Sequence, residues 1–207
     1  MPEIGLFPLG TALLPTEQVP LHIFEPRYRE LIGECVDQGL EFGLVYVGDE
    51  GMHAIGTRAS VVDVMQRFDD GRLDIVVEGS TRFRLVELTE GRSFHTGVVE
   101  DVSDDVDPAA AAEVERSLAL FARLVEMTGA NAEPPPADDD QLSFALAGRF
   151  DFSPDLKQAL LQSTSERERL LRVSELLETA AEAVARQREL AELARSNGHA
   201  KPAQPGV

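Results

Sequence analysis

At 207 residues the chain is long enough for one large domain or two small ones, each able to bury a core. Its 19 Lys and Arg against 37 Asp and Glu give a net charge of -18, which repels phosphate backbones and anionic membranes, favours basic or neutral partners, and also serves plain solubility. A single cysteine, Cys35, excludes an internal disulfide framework and any Cys-rich zinc site, and fits a reducing, cytoplasmic setting.

The opening, MPEIGLFPLGTALLP, carries Glu3, three prolines and no basic stretch, so it does not read as a signal peptide. No apolar run approaches the roughly 20 residues of a membrane span. Short apolar stretches at Ile4 to Leu9, Phe42 to Val47, Ala59 to Met65, Leu73 to Val77, Phe83 to Leu88 and Thr96 to Val102 alternate with turn signals and predict strands. Asp70-Gly71 marks a hairpin between the third and fourth of these. Residues 1–107 therefore read as a small β domain, a closed or nearly closed barrel, and they carry 8 basic and 21 acidic residues, a net of -13. One helix interrupts the strands: Pro26 suits a first helical position, Tyr28, Leu31, Ile32, Cys35 and Val36 share one face, and Gly39 stops it. That face makes Cys35 a small core residue rather than a reactive thiol.

Beyond Asp107 the spacing turns helical, so residues 108–195 read as an α-helical bundle, and residues 108–207 carry a net of -5. Val114, Leu118, Phe121 and Val125 form one stripe ended by Thr128-Gly129. After the loop Pro134-Pro135-Pro136, Asp138 to Gln141 opens a short helix with Leu142, Ala145 and Leu146. Ser153-Pro154 caps another, and Ser165 with Glu168 has the spacing of a capping box before a long last helix with Leu170, Val173, Leu177, Ala180 or Ala181, and Val184 along one seam. That seam suits packing within a bundle, or else a dimer interface. Residues 196–207, with Pro202 and Pro205, are expected to be disordered.

Catalytic signatures are missing. There is no GxxxxGK[ST] loop, GxSxG elbow or HExxH pair, and the two lysines, Lys157 and Lys201, fall in a short helix and in the tail, poor places for a general base. His22, His53, His95 and His199 lie far apart, so no metal is expected, and Asp138-Asp139-Asp140 reads as a solvated helix start. No cofactor is expected.

The run Pro20-Leu21-His22-Ile23-Phe24-Glu25-Pro26-Arg27-Tyr28, preceded by Phe7-Pro8-Leu9 and Leu13-Leu14-Pro15, resembles the opening of the Lon protease amino-terminal, or substrate-binding, domain. Ile55-Gly56-Thr57, Asp70-Gly71-Arg72, Gly79-Ser80-Thr81-Arg82-Phe83-Arg84, Leu142-Ser143-Phe144-Ala145 and Lys157-Gln158-Ala159-Leu160-Leu161 extend the likeness over roughly residues 3 to 190. The resemblance implies an α+β architecture, a PUA-like β pseudo-barrel with one inserted helix followed by a helical bundle. It also implies a free-standing bacterial form without ATPase or peptidase. It supplies no catalytic residue. Its expected partners are unfolded or exposed peptide segments of proteins, with a protease or chaperone behind them, in protein quality control; nucleic acid and membrane are not expected partners. Leu21, Ile23 and Phe24 are the candidate border of a peptide groove. Glu25, Pro26, Arg27, Tyr28, Gly79, Arg82 and Phe83 are candidate structural positions: Pro26 fixes a first turn, and Glu25 accepts backbone hydrogen bonds or pairs with Arg27 or Arg82. PUA-like barrels also read RNA or enclose small molecules, so an RNA-binding module, disfavoured by the charge, and a small-molecule pocket are the alternatives.

Overall fold

A computed structural model describes residues 2–197. In chain order the elements are β1 (Glu3–Leu9), β2 (Gln18–Ile23), α1 (Pro26–Gln38), β3 (Phe42–Gly48), β4 (Gly51–Met52), β5 (Ile55–Arg67), β6 (Leu73–Thr89), β7 (Thr96–Asp101), α2 (Ala111–Thr128), α3 (Leu142–Ala147), α4 (Pro154–Gln162) and α5 (Glu166–Asn197).

A strand exposed on neither edge needs a neighbour on both sides, and a closed ring supplies one. Here β1 runs parallel to β3 and antiparallel to β7, while β7, β6, β5 and β3 follow as antiparallel neighbours, so five strands close on themselves. Leu6, Val45, Phe83 and Val99 fill the ring. The Phe83 ring needs two positions without side chains: a Cβ on Gly43 or on Gly56 would stand 2.7 Å from its Cζ.

The expected strands differ from the observed ones at β6 and at β2. Leu73 to Val77 and Phe83 to Leu88 are a single strand, β6, whose first half pairs with β2 and whose second half pairs with β7. Gly79, a candidate structural position in the sequence, is the point where this strand passes beneath the Leu14 to Glu17 turn. A Cβ there would meet the Leu14 carbonyl oxygen at 2.3 Å, and its N–H and C=O bond Glu17 O and Thr16 N. Strand β2 is absent from the sequence reading, because Pro20 breaks the usual strand composition. Pro20 is tolerated because β2 lies at a sheet edge, paired with β6 alone.

Helix α1 packs Tyr28, Leu31, Ile32 and Cys35 onto the extension built by β2, β6 and β5, as the spacing predicts, and Gly39 ends it at φ +66°. Burial raises the Cys35 thiol to about 11, and neighbouring Glu34 adds to the shift, so the thiolate is scarce at neutral pH.

In the helical half, α5 presents Leu170, Val173, Leu177 and Ala181 to α2. The α2 face is turned from the expected stripe. Ser117, Leu120, Phe121 and Leu124 are buried, whereas Val114, Leu118 and Val125 lie at the flank. Ser117 is the reason, since its hydroxyl bonds Ser174 at 2.7 Å at the helix crossing, and a search for apolar residues passes it over. Ser165 Oγ accepts from the Glu168 N–H at 3.0 Å and so caps α5. The stretch expected to be disordered, 196–207, lies outside the described residues except for its first two positions, which belong to α5.

Candidate peptide-binding surface

Strand alternation decides what the Leu21 to Phe24 segment exposes. Leu21 and Ile23 point to the same side; Ile23 is 1% exposed and belongs to the core, and Leu21 is half-buried against it. Ile23 is therefore withdrawn as a groove-lining residue. His22 points the other way, and Phe24, just past the strand end, is 60% exposed. The rings of His22 and Phe24 stack at 6.0 Å, the Phe68 ring meets His22 edge-on at 6.0 Å, and the Arg72 guanidinium covers Phe68 at 4.9 Å. Asp74 holds His22 through Nδ1 at 2.5 Å from the neighbouring strand. The result is an aromatic step, Phe24, His22 and Phe68, on the outer side of the β2, β6 and β5 extension. His22 and Phe68 were not among the residues expected here; reading Gln18 to Ile23 as an alternating strand would have marked His22.

The following residues build the strand-to-helix junction. Glu25 is the N-cap by its backbone, whose carbonyl accepts from Tyr28 and Arg29 N–H at 3.0 Å each; its side chain makes no cap bond and instead pairs with Arg27 at 2.9 Å. Pro26 opens the first turn. Arg27 lies 4.6 Å over the Tyr28 ring, which packs on Phe7 at 4.4 Å. Glu25, Arg27 and Tyr28 also line an open concavity of about 490 Å³, together with Leu9, Val47 and His95.

Arg82 does not reach Glu25. From β6 its guanidinium donates to Leu161 O at 2.9 Å, to Ser163 O at 2.6 Å and to Asp104. Arg169 of α5, 0% exposed, grips the same carboxylate and also donates to Ser143 Oγ at 3.0 Å, Ser163 O at 2.9 Å and Glu166 at 2.7 Å. Both guanidinium groups lie over the Phe144 ring, at 5.3 and 4.3 Å. Burial alone would raise Asp104, but hydrogen bonds and charge from Arg169 and Arg82 hold it below the usual carboxylate range. Glu166 goes the other way: burial dominates and raises it, against the bonds from Ser143 and Arg169. A second buried pair, Lys157 with Glu17, joins α4 to the turn before β2, and Glu17 also accepts from Leu14 N–H at 2.9 Å. These residues hold the strands and helices together.

Among the described residues, no group of three or more His, Cys, Asp and Glu side chains is placed to hold a metal ion, and no helix is long and apolar enough to cross a membrane. His53 stacks on Tyr46 at 4.9 Å, and Tyr46 donates to Asp155 at 2.9 Å, which raises its phenol.

A family profile described as the ATP-dependent protease La (LON) substrate-binding domain matches residues 3–179. A Lon protease of Parabacteroides distasonis is 29% identical over 142 residues, covering 64% of this chain and 17% of its own length. A Lon protease of Paraburkholderia phytofirmans is 28% identical over 186 residues, covering 81% and 23%. The chain thus spans less than a quarter of the length of these curated relatives. Among solved structures, a Lon N-terminal domain protein from Xanthomonas campestris superposes with a TM-score of 0.66 at 25% identity, over 84% of this chain and 97% of that one. The N-terminal domain of a Mycobacterium avium complex Lon protease superposes with a TM-score of 0.64 at 16% identity, over 86% and 98%, a likeness of fold.

Proposed function

The chain belongs to the family of Lon protease substrate-binding domains, and we propose that it is a non-catalytic module that holds unfolded or exposed peptide segments of other proteins, as an adaptor serving a protease or chaperone in the cytoplasm. The observation that carries this reading is the substrate-binding profile, which runs through both the strands and the helices. The surface supports it: an apolar aromatic step beside an open concavity offers a peptide both stacking area and room. A non-catalytic role is further supported by Lys157, whose ammonium is sequestered by Glu17. Against RNA as the ligand, Arg58, Arg82 and Arg84 each face a carboxylate, on Asp101, Asp104 and Glu100, so three of the scattered arginines of the strand half are already engaged.

Calorimetric titration with a set of unstructured, apolar-rich peptides tests the reading. Measurable heats are expected for a subset. Uniformly undetectable binding up to roughly 1 mM peptide, equivalent to less than about 4 kcal/mol, would sink it.

A further inference from the structure

A second concavity, of about 360 Å³, lies away from the aromatic step, between the segment that leaves β7, the loop before α3 and the first turn of α5. Its size is within the roughly 300–1,000 Å³ of ordinary ligand sites. Its floor is apolar, made by Pro108, Val114, Leu142 and Leu170. Val106, a fully exposed apolar residue, stands at its lip. No basic side chain lines it.

The carboxylates around this floor divide into two sets. At the inner end, Asp104 and Glu166 are neutralised by Arg82 and Arg169 from behind. Asp105, Asp107, Asp138, Asp139 and Asp140 form no ion pair among the described residues. The Asp105 and Asp107 carboxylates accept from the hydroxyls of Thr164 and Ser165, and that of Asp139 from the Gln141 N–H, while Asp138 and Asp140 have no partner among the described residues. Arg167, the residue after Glu166, turns its guanidinium onto Glu113. An apolar trough with an unpaired anionic rim complements a cation that carries hydrocarbon beside it, as an arginine or lysine does.

We propose that this groove is a second docking site, and that its occupant is an extended polypeptide segment with an arginine or lysine next to an apolar side chain. The cation lies among the rim carboxylates, and the apolar neighbour covers Val106 and the floor. This rests on the peptide-binding reading above and narrows its substrate class to basic-apolar segments.

Fluorescence anisotropy of the whole chain with three labelled, unstructured peptides, alike in apolar residues but spaced by Arg, Gln or Glu, tests the proposal. The Arg peptide is expected to bind tightest and to weaken as salt rises from ~0.05 to ~0.5 M. Asp138→Asn with Asp140→Asn, at exposed and unpartnered positions that put the fold at little risk, is expected to weaken the Arg peptide roughly three- to tenfold and leave the Gln peptide unchanged. Equal binding of all three peptides, or an Arg preference that survives the double substitution, overturns the groove while the general peptide-binding reading stands. Failure of every peptide to bind overturns both.

Discussion

Ile23 and Phe24 are neighbours of similar hydropathy, yet the strand ends between them, and that places one in the core and the other in water. Their substitution should therefore separate stability from binding. Ile23→Ala is expected to cost about 2–4 kcal/mol in urea unfolding, the range for truncating a buried aliphatic side chain. Phe24→Ala should leave the unfolding midpoint within about 0.5 kcal/mol but weaken peptide binding by about 1–2 kcal/mol, as loss of an aromatic anchor does. A Phe24→Ala protein that binds peptides as well as the parent would remove the aromatic step from the site. Lys157 and Glu17 make a different kind of test, because each is only 7% exposed and serves as the other's counter-ion. Lys157→Met alone strands a buried carboxylate and is expected to cost about 3–5 kcal/mol, whereas Lys157→Met with Glu17→Gln should recover part of that loss. Urea midpoints that simply add would show that the two side chains are not coupled.

At the scale of elements, apolar periodicity was a good guide wherever one face alone is buried. It placed α1 to its stop at Gly39, and it placed the α5 seam residue by residue. It failed where polar groups are interior. Ser117 turned α2 away from its expected stripe, and Arg82, Arg169 and Glu166 sit in a junction that apolar spacing cannot mark. The change of spacing after Asp107 was legible, but not that Asp104 just before it is the shared acceptor of two buried arginines. Strand β2 was hidden by Pro20, and with it the outward direction of His22. This junction titrates with opposite signs. Glu166 has a raised value in the folded protein, so the fold takes up a proton before the unfolded chain does, and stability should rise as pH falls toward the ordinary glutamate value of about 4.3. Asp104 is depressed, so its contribution is complete above the ordinary aspartate value of about 3.9 and is lost as pH falls through its folded value. Urea midpoints across this range should follow both trends. Glu166→Gln should abolish the first rise and keep the acid loss; an unchanged rise in that variant would assign it to another carboxyl group.

For the molecule as a whole, the sequence divides at Asp107 into strands and helices, but the side chains do not respect that line. Ala12, Leu14, Tyr46 and Ile55 from the strand half are in one cluster with Phe121, Leu161 and Leu177 from the helical half. Polar links cross the same boundary: Arg82 to Leu161 O and Ser163 O, Arg169 to Asp104, Tyr46 to Asp155, Lys157 to Glu17, and Gln158 Nε2 to Ile55 O at 3.1 Å. Separating the halves would expose that shared core and strand buried charges, so neither half has a low-cost intermediate in which it is folded alone. A single cooperative transition is expected. The chain is well suited to the measurement because it has no tryptophan and two tyrosines, Tyr28 and Tyr46, both in the strand half, whereas far-ultraviolet circular dichroism at helix wavelengths reports mainly the helical half. Tyrosine fluorescence and dichroism should therefore trace coincident urea curves. Arg82→Met, which leaves Asp104 to Arg169 alone, should move both midpoints down by the same amount. Two separated transitions, or an Arg82→Met shift confined to one signal, would show instead that 1–107 and 108–195 unfold as independent domains.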